Sequence, residues 1–369
     1  DLLDRFFEQE NIEIGHKDVV AITESVVART QGNYVTIDQV AKDLNPDFAG
    51  KELGVILPIL SRNRFAIVLR AIASADVEKV ILQLSLPSDE VGNHLITLDQ
   101  LDNAGINPWR ETISEAKYRE LFGYQKHEFT GIDYVAYYKE LVEDCGKKCE
   151  IIFSNDPLAI LAHTKYVINC DIHTRKRTKN LLLKNGAECV RSLDDIMNAP
   201  IDSSGYNEKY GLLGSNKSTE DQIKLFPREC SPLVEAIQAE VKKRTGKTIE
   251  VMVYGDGAFK DPVGKIWELA DPVVSPGYTS GLEGTPNELK LKYLADNDFK
   301  DLSGDELKEA IKEAIKSKSD NLVGQMATQG TTPRQLTDLL GSLCDLTSGS
   351  GDKGTPVVYI QGYFDNYTN

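Results

Sequence analysis

Residues 150–196, EIIFSNDPLAILAHTKYVINCDIHTRKRTKNLLLKNGAECVRSLDDI, decide the fold class. EIIF (150–153) is a short apolar run of strand type, and Pro157 to His163 reads as helical. YVINC (166–170) is again strand-like, His173 to Asn185 helical with Gly186 at its stop, and ECV (188–190) a third strand before a short helix through Ile196. Strands alternating with helices of this length form βαβ units and a parallel sheet, so the expected class is α/β, with α+β elements elsewhere.

Toward the amino end, DVVAIT (18–23) reads as a buried strand, and a turn at Gln31-Gly32-Asn33 leads to an extended piece over 34–37. A second apolar run, Val55 to Leu60, precedes a helix over 64–73 and a strand over 79–84. Toward the carboxyl end, residues 198–210 are turn-rich and mark a boundary. Ser231-Pro232 starts a helix that Gly246 stops, and a strand over 249–254 follows. Ser303 and Glu306 form a capping box for a helix to about Lys318. Thr332 to Asp345 is the last helix and Pro356 to Ile360 the last strand.

The 369 residues suffice for two or three domains. Hydrophobic residues at 41% and charged residues at 27% are those of an ordinary soluble protein, and no apolar run is long enough to span a bilayer. No charged-then-apolar leader opens the chain, which begins without Met. A net charge of −15 argues against nucleic acid and anionic lipid as partners, and the densest basic cluster, Arg175-Lys176-Arg177, reads as a solvated helix face. Six cysteines without a CxxC pair read as reduced thiols, so the expected compartment is the cytoplasm.

Four segments carry candidate chemistry. In IEVMVYGDGAFKDPVGKIWELADP (249–272) an apolar strand delivers Asp256 between two glycines, at the strand end where open α/β sheets gather ligands. A carboxylate so placed suits a hard divalent cation carrying phosphate, and Lys260 follows closely; the plainer reading is an Asp-Gly turn. YGLLGSNKSTEDQIKLFP (210–227) places Glu220 and Asp221 after a polar turn. Either acid would complete a metal site with Asp256, while the plainer reading is a helix start capped by Thr219. TSGSGDKGTP (347–356) offers backbone amides at Gly349, Gly351 and Gly354, without the Lys-Ser/Thr ending and following helix of a P-loop. TESVVARTQG (23–32) carries Arg29, whose planar fork of donors suits phosphate or carboxylate. Asp171 and His173 alternate after a strand and are further candidates to line a site. There is no G-x-S-x-G elbow or H-E-x-x-H.

In this order the segments resemble the coenzyme F420-0:L-glutamate ligase family, the γ-glutamyl ligases, and more closely a long bacterial branch of it. DVVAITESVVARTQG stands where the family has its GD-V-V-V strand and Val-Ser-Lys-x-Glu-Gly stretch, which puts Arg29 at a nucleotide-contacting lysine. GLLGSNKSTED (211–221) is similar to the glycine, apolar and Asn-rich segment followed by an acid. LFPRECSPLVEAIQAEVKKRTGKTIEVMVYGDG (225–257) matches the proline, helix, Arg-Thr-Gly and strand-to-Asp pattern. TTPRQLTDLLGSLCDLTSGSGDKGTPVVYIQG (331–362) is similar to the last helix, glycine loop and strand.

The resemblance covers 1–50 and 205–369, which implies a ligase-like core in two pieces around a large inserted α/β region at 51–204 that selects the substrate. The middle has no counterpart of matching length in the smaller archaeal enzymes. Gly257 replaces a threonine, and FKDPVGKIW (259–267) replaces an Arg-Pro-Trp-Arg run. The resemblance implies Mg²⁺ or Mn²⁺ on Asp256 and on Glu220 or Asp221. It implies GTP or ATP as co-substrate, contacted by Arg29, Asn216, Gly349, Gly351 and Gly354, with Arg29 and Lys260 as the catalytic cations. The expected partners are a small-molecule carboxylate and a glutamate-like amino acid, in a homodimer. Two alternatives stay open, a different phosphate-transferring enzyme and a non-catalytic nucleotide-binding or regulatory homologue.

Overall fold

The computed structural model describes residues 5, 7, 9–128, 130–255, 258–260, 267–269, 275–284, 288–319, 321–328, 336–348 and 356–365. In chain order the elements are β1 (Val19–Thr23), α1 (Glu24–Thr30), β2 (Tyr34–Thr36), α2 (Ile37–Phe48), β3 (Glu52–Ile56), α3 (Phe65–Ser74), β4 (Lys79–Leu84) and α4 (Leu98–Ala104). There follow β5 (Ile113–Ser114), α5 (Glu115–Phe122), α6 (Tyr134–Asp144), β6 (Lys148–Phe153), β7 (Tyr166–Asn169), α7 (Arg175–Lys184), β8 (Cys189–Ser192), β9 (Asn216–Lys217) and β10 (Gln222–Lys224). The remainder is α8 (Cys230–Thr245), β11 (Glu250–Tyr254), β12 (Ala258–Lys260), β13 (Trp267–Leu269), β14 (Gly277–Tyr278), α9 (Leu291–Tyr293), α10 (Gly304–Ser317), α11 (Leu336–Ser348) and β15 (Val357–Ile360).

The chain divides into two compact units, one of residues 1–26, 229–257 and 273–369, the other of 27–228 and 258–272. The division thus falls at 26/27, 228/229, 257/258 and 272/273. The reason is pairing: β2 joins β10 with Val35 opposite Ile223, and both side chains enter the same core as α2, α3 and the middle sheet.

In the second unit the sheet order is β5-β6-β4-β3-β7-β8, with the last five strands parallel and β5 antiparallel at the edge. Alternate side chains serve opposite faces. Val80, Leu82 and Leu84 of β4 enter the core with α2, α3 and α6, while Ile81 joins Ile56, Ile160 and Leu182 on the other face. Burial on both faces is why the strands read as continuous apolar runs. Counting only the parallel strands along the chain, their order is 3-2-1-4-5, so the winding reverses between β3 and β7. Asp171 and His173 lie at that reversal, and both have structural partners. Asp171 accepts from Thr174 N at 2.8 Å and from the Thr178 hydroxyl at 2.6 Å; His173 Nδ1 meets Glu90 at 2.7 Å.

The loops after β3 and β4 are joined by Asp89, which is almost fully buried and accepts from Leu60 N at 2.8 Å, Val91 N at 3.0 Å and Asn93 Nδ2 at 2.7 Å. Burial outweighs these hydrogen bonds and pushes its carboxyl from 3.8 up to about 6. The folded state therefore binds the Asp89 proton more tightly than the unfolded chain does. The stability this gives is complete below about pH 4 and is lost as pH rises to about 6. Urea unfolding across pH 4 to 7 should show wild type losing up to about 3 kcal/mol relative to Asp89→Asn over that window. Parallel curves for the two proteins would contradict the assignment.

In the first unit the sheet order is β14-β11-β1-β15, with β1 and β11 parallel and the two edge strands antiparallel. Helices α8 and α11 pack on β11, and Met252, Tyr254, Leu340 and Cys344 fill one core. At the amino end of β1, Asp18 accepts from Gly15 N at 2.6 Å, from Gly362 N at 2.9 Å and from the Tyr359 hydroxyl.

Several expected boundaries move. The strand expected over 55–60 is β3, three residues earlier, because Leu57 takes φ 53° and Pro58 has no N–H to give a ladder. The N-cap position of α8 is Glu229, without a side-chain cap bond, rather than Ser231, and Gly246 ends the helix at φ 73° as expected. Ser303 is the N-cap residue of α10 but its side chain makes no cap bond. The segment read as a capped helix start at Thr219 is instead the β9–β10 hairpin.

Candidate active site

Within the first unit, β1 and β11 run parallel with Thr23 opposite Tyr254, so their carboxyl ends lie side by side. Tyr254 donates its hydroxyl to Ser348 Oγ at 3.3 Å, and Thr23 N–H donates to Pro356 O at 3.0 Å. Ser348 and Pro356 are the described residues that flank the glycine segment. Three of the four candidate segments therefore reach one end of one sheet: the turn into α1, the strand that leads to Asp256, and both flanks of the glycine loop. Glu24 and Ser25, which begin α1 there, are buried. Asp256, Gly349, Gly351 and Gly354 lie outside the described residues, and of Lys260 only its place in β12 is described.

The remaining candidates belong to the second unit. Arg29 is exposed in the last turn of α1. Just beyond it, Gln31 exchanges two hydrogen bonds with the Arg228 backbone, Nε2 to O at 2.7 Å and N to Oε1 at 2.8 Å. Asn33, fully buried, donates to Phe226 O at 2.5 Å and accepts from Tyr206 N at 3.0 Å and Arg228 Nη1 at 3.1 Å. Asn207 adds bonds to Phe226 O and Pro227 O at 3.2 and 3.1 Å. This clasp holds the segment that carries Asn216, Glu220 and Asp221 against the turn after Arg29.

Asn216 is half-buried in β9, opposite Lys224. Glu220 and Asp221 are exposed at the hairpin turn, and the Arg70 guanidinium lies 3.8 Å from the first carboxylate and 3.7 Å from the second. Arg70 Nη1 also donates to the Glu220 carbonyl at 2.9 Å, and Lys217 Nζ reaches the Glu220 carboxylate at 2.5 Å. That lysine bond holds the Glu220 carboxyl below the ordinary range. The sequence reading passed over Arg70. Its signal is a lone charge in FAIVLRAIAS (65–74), a helix whose other residues up to Ala73 are all buried.

Gly211 opens the segment at φ 52°, where an added Cβ would lie inside van der Waals contact with the carbonyl oxygens of Ile196 and Leu193. Backbone atoms cannot swing aside as a side chain can. Gly211→Ala should cost about 3 kcal/mol, combining left-handed strain with overpacking. A chemical-denaturation midpoint equal to wild type would refute this.

Among the described residues no three His, Cys, Asp or Glu side chains group as a metal site, and no helix is long and apolar enough to cross a membrane. The mixed sheets and their convergent strand end define an α/β protein of ligase-like architecture. A family model described as F420-0:Gamma-glutamyl ligase matches residues 2–362, and the chain belongs to that family. It is accordingly an enzyme of the ligase class, and the family implies γ-glutamyl ligase activity on small-molecule, glutamate-like substrates. The match spans 51–204 as well as the segments on which the resemblance was read. Comparison with curated proteins gave no match, and neither did comparison with solved structures.

Proposed function

We propose that the chain joins a carboxylate to the amine of an amino acid at the expense of GTP or ATP, with Mg²⁺ or Mn²⁺ required. The observation that supports this best is the meeting of the β1 end, the β11 end and both flanks of the glycine segment at one sheet end. A strand-end carboxylate and a run of backbone amides are the groups a metal-bound triphosphate requires.

A hard cation takes oxygen donors. Glu220 and Asp221 provide them, and the turn already attracts one cation, Arg70. This donor chemistry fits the ion. Asp256, Glu220 and Asp221 are the candidate ligands, and single substitutions decide among them. A bound ion would neutralise charge on the phosphate oxygens.

In the proposed reaction a carboxylate oxygen of the acid substrate attacks the γ-phosphorus and the bond to the β-phosphate oxygen breaks, releasing the nucleoside diphosphate. The amine nitrogen then attacks the acyl carbon of the resulting acyl phosphate. Phosphate leaves, the nitrogen loses a proton, and the amide remains. Arg29 and Lys260 are assigned to hold phosphate charge. Asn216 and the amides of Gly349, Gly351 and Gly354 are assigned to the nucleotide.

A homodimer in the cytoplasm is the proposed working state, in keeping with six cysteines that form no CxxC pair. No nucleic acid or membrane partner is proposed. The test is release of nucleoside diphosphate measured with pairs of carboxylates and amines. Release that requires both substrates supports ligation. Release that ignores the amine indicates a kinase or phosphohydrolase, and tight nucleotide binding without any release indicates a regulatory homologue.

A further inference from the structure

The second unit contains a cavity of about 250 Å³ between α3 and α6, closed on one side by the β9–β10 hairpin. Arg62 and Arg70 line it from the α3 side, Tyr137 and Asp144 from α6, and Lys217 and Glu220 from the hairpin. Three cations face two carboxylates in a chain whose net charge is −15. The Glu220 side chain is three-quarters exposed, and its ion pairs with Arg70 and Lys217 are of the solvent-screened surface kind that hold weakly. Arg62 is exposed and makes no hydrogen bond or ion pair among the described residues.

We propose that this cleft binds a small aliphatic carboxylate in the place that the Glu220 carboxylate takes in the structure. The chain displays the recognition itself: Arg70 and Lys217 already hold the carboxylate and the carbonyl oxygen of one glutamyl residue. A free ligand that displaces Glu220 keeps those donors and gains Arg62, while Ile67 and Leu141 offer an apolar wall to its carbon stem. The volume lies below the range of about 300 to 1,000 Å³ typical of larger ligands, so it suits an amino-acid-sized molecule rather than a nucleotide. The inference uses the second unit alone; it makes Glu220 the cleft's own carboxylate, which leaves Asp221 as the hairpin's candidate metal ligand in the proposed ligase reaction.

The experiment is calorimetric titration of the full chain with glutarate, and separately with inorganic phosphate, in buffer free of metal and nucleotide. Glutarate should bind wild type, about tenfold more weakly to Arg62→Ala, and more tightly to Glu220→Gln, in which the internal competitor has lost its charge. A gain of affinity is an outcome that misfolding cannot imitate. Asp256→Ala should bind glutarate as wild type does, which separates this cleft from the proposed catalytic centre. Absence of binding by both wild type and Glu220→Gln, equal affinity in Arg62→Ala and wild type, or phosphate binding more tightly than glutarate would each overturn the proposal.

Discussion

Asp256→Asn is expected to lower nucleotide-consuming turnover about a thousandfold, close to 4 kcal/mol of lost transition-state stabilisation, while the thermal midpoint stays within about 2 °C of wild type. The two halves of that expectation have separate causes. Asparagine keeps the size of the side chain and removes the charge, and a neutral amide is a poor ligand for a hard cation that must carry triphosphate. The described ladder pairs of β11 with β1 end at Tyr254, two residues before Asp256 in the sequence, so the substitution is expected to leave that pairing intact. Steady-state kinetics under saturating metal, with a thermal melt on the same sample, reads both. Turnover within threefold of wild type would remove Asp256 from the reaction.

Asn33→Ala is expected to cost the second unit about 3 kcal/mol, large against a typical domain stability of about 5 to 15 kcal/mol. Asn33 is fully buried and ties its own turn to two other segments, one through Tyr206 N and the other through Phe226 O and the Arg228 guanidinium. Truncation leaves the Tyr206 N–H without that acceptor and opens a void where the amide sat. Because the clasp positions the segment that carries Glu220, activity should fall together with stability. Urea unfolding of the variant checks the energy, and a loss below about 0.5 kcal/mol would show that the clasp is incidental.

Features with local causes were legible in the sequence, and those with distant causes were not. KVILQL (79–84) coincides with β4 because an apolar-rich run that follows Glu78 and stops before Ser85-Leu86-Pro87 suits a strand buried on both faces. The helix ending at Gly246 was legible because a left-handed glycine after a helical run is a local stop. The β9–β10 hairpin was not, since strands of two and three residues carry too little pattern to distinguish from a turn. The 3-2-1-4-5 order and the clasp were also out of reach. Asn33 meets Phe226 across 193 positions, and nothing at either place announces the other. Glu220 and Asp221 were found as acids, but the cation that faces them, Arg70, lies 150 residues earlier on a helix that reads as core.

For the candidate site, the strand-end rule made Asp256 a candidate, and its three glycines made the loop at 347–356 another. What the fold adds is that β1, β11 and the residues on both sides of that loop share one sheet end. The family match then extends over 2–362, well past the half of the chain on which the motifs could be matched by eye.

The most direct test of the central claim is calorimetric titration of GTP and of ATP into wild type and Asp256→Ala, with and without Mn²⁺. The account predicts that one nucleotide binds wild type only when the metal is present, and that the variant binds neither. Folded wild-type protein that binds no nucleotide under any of these conditions would contradict it.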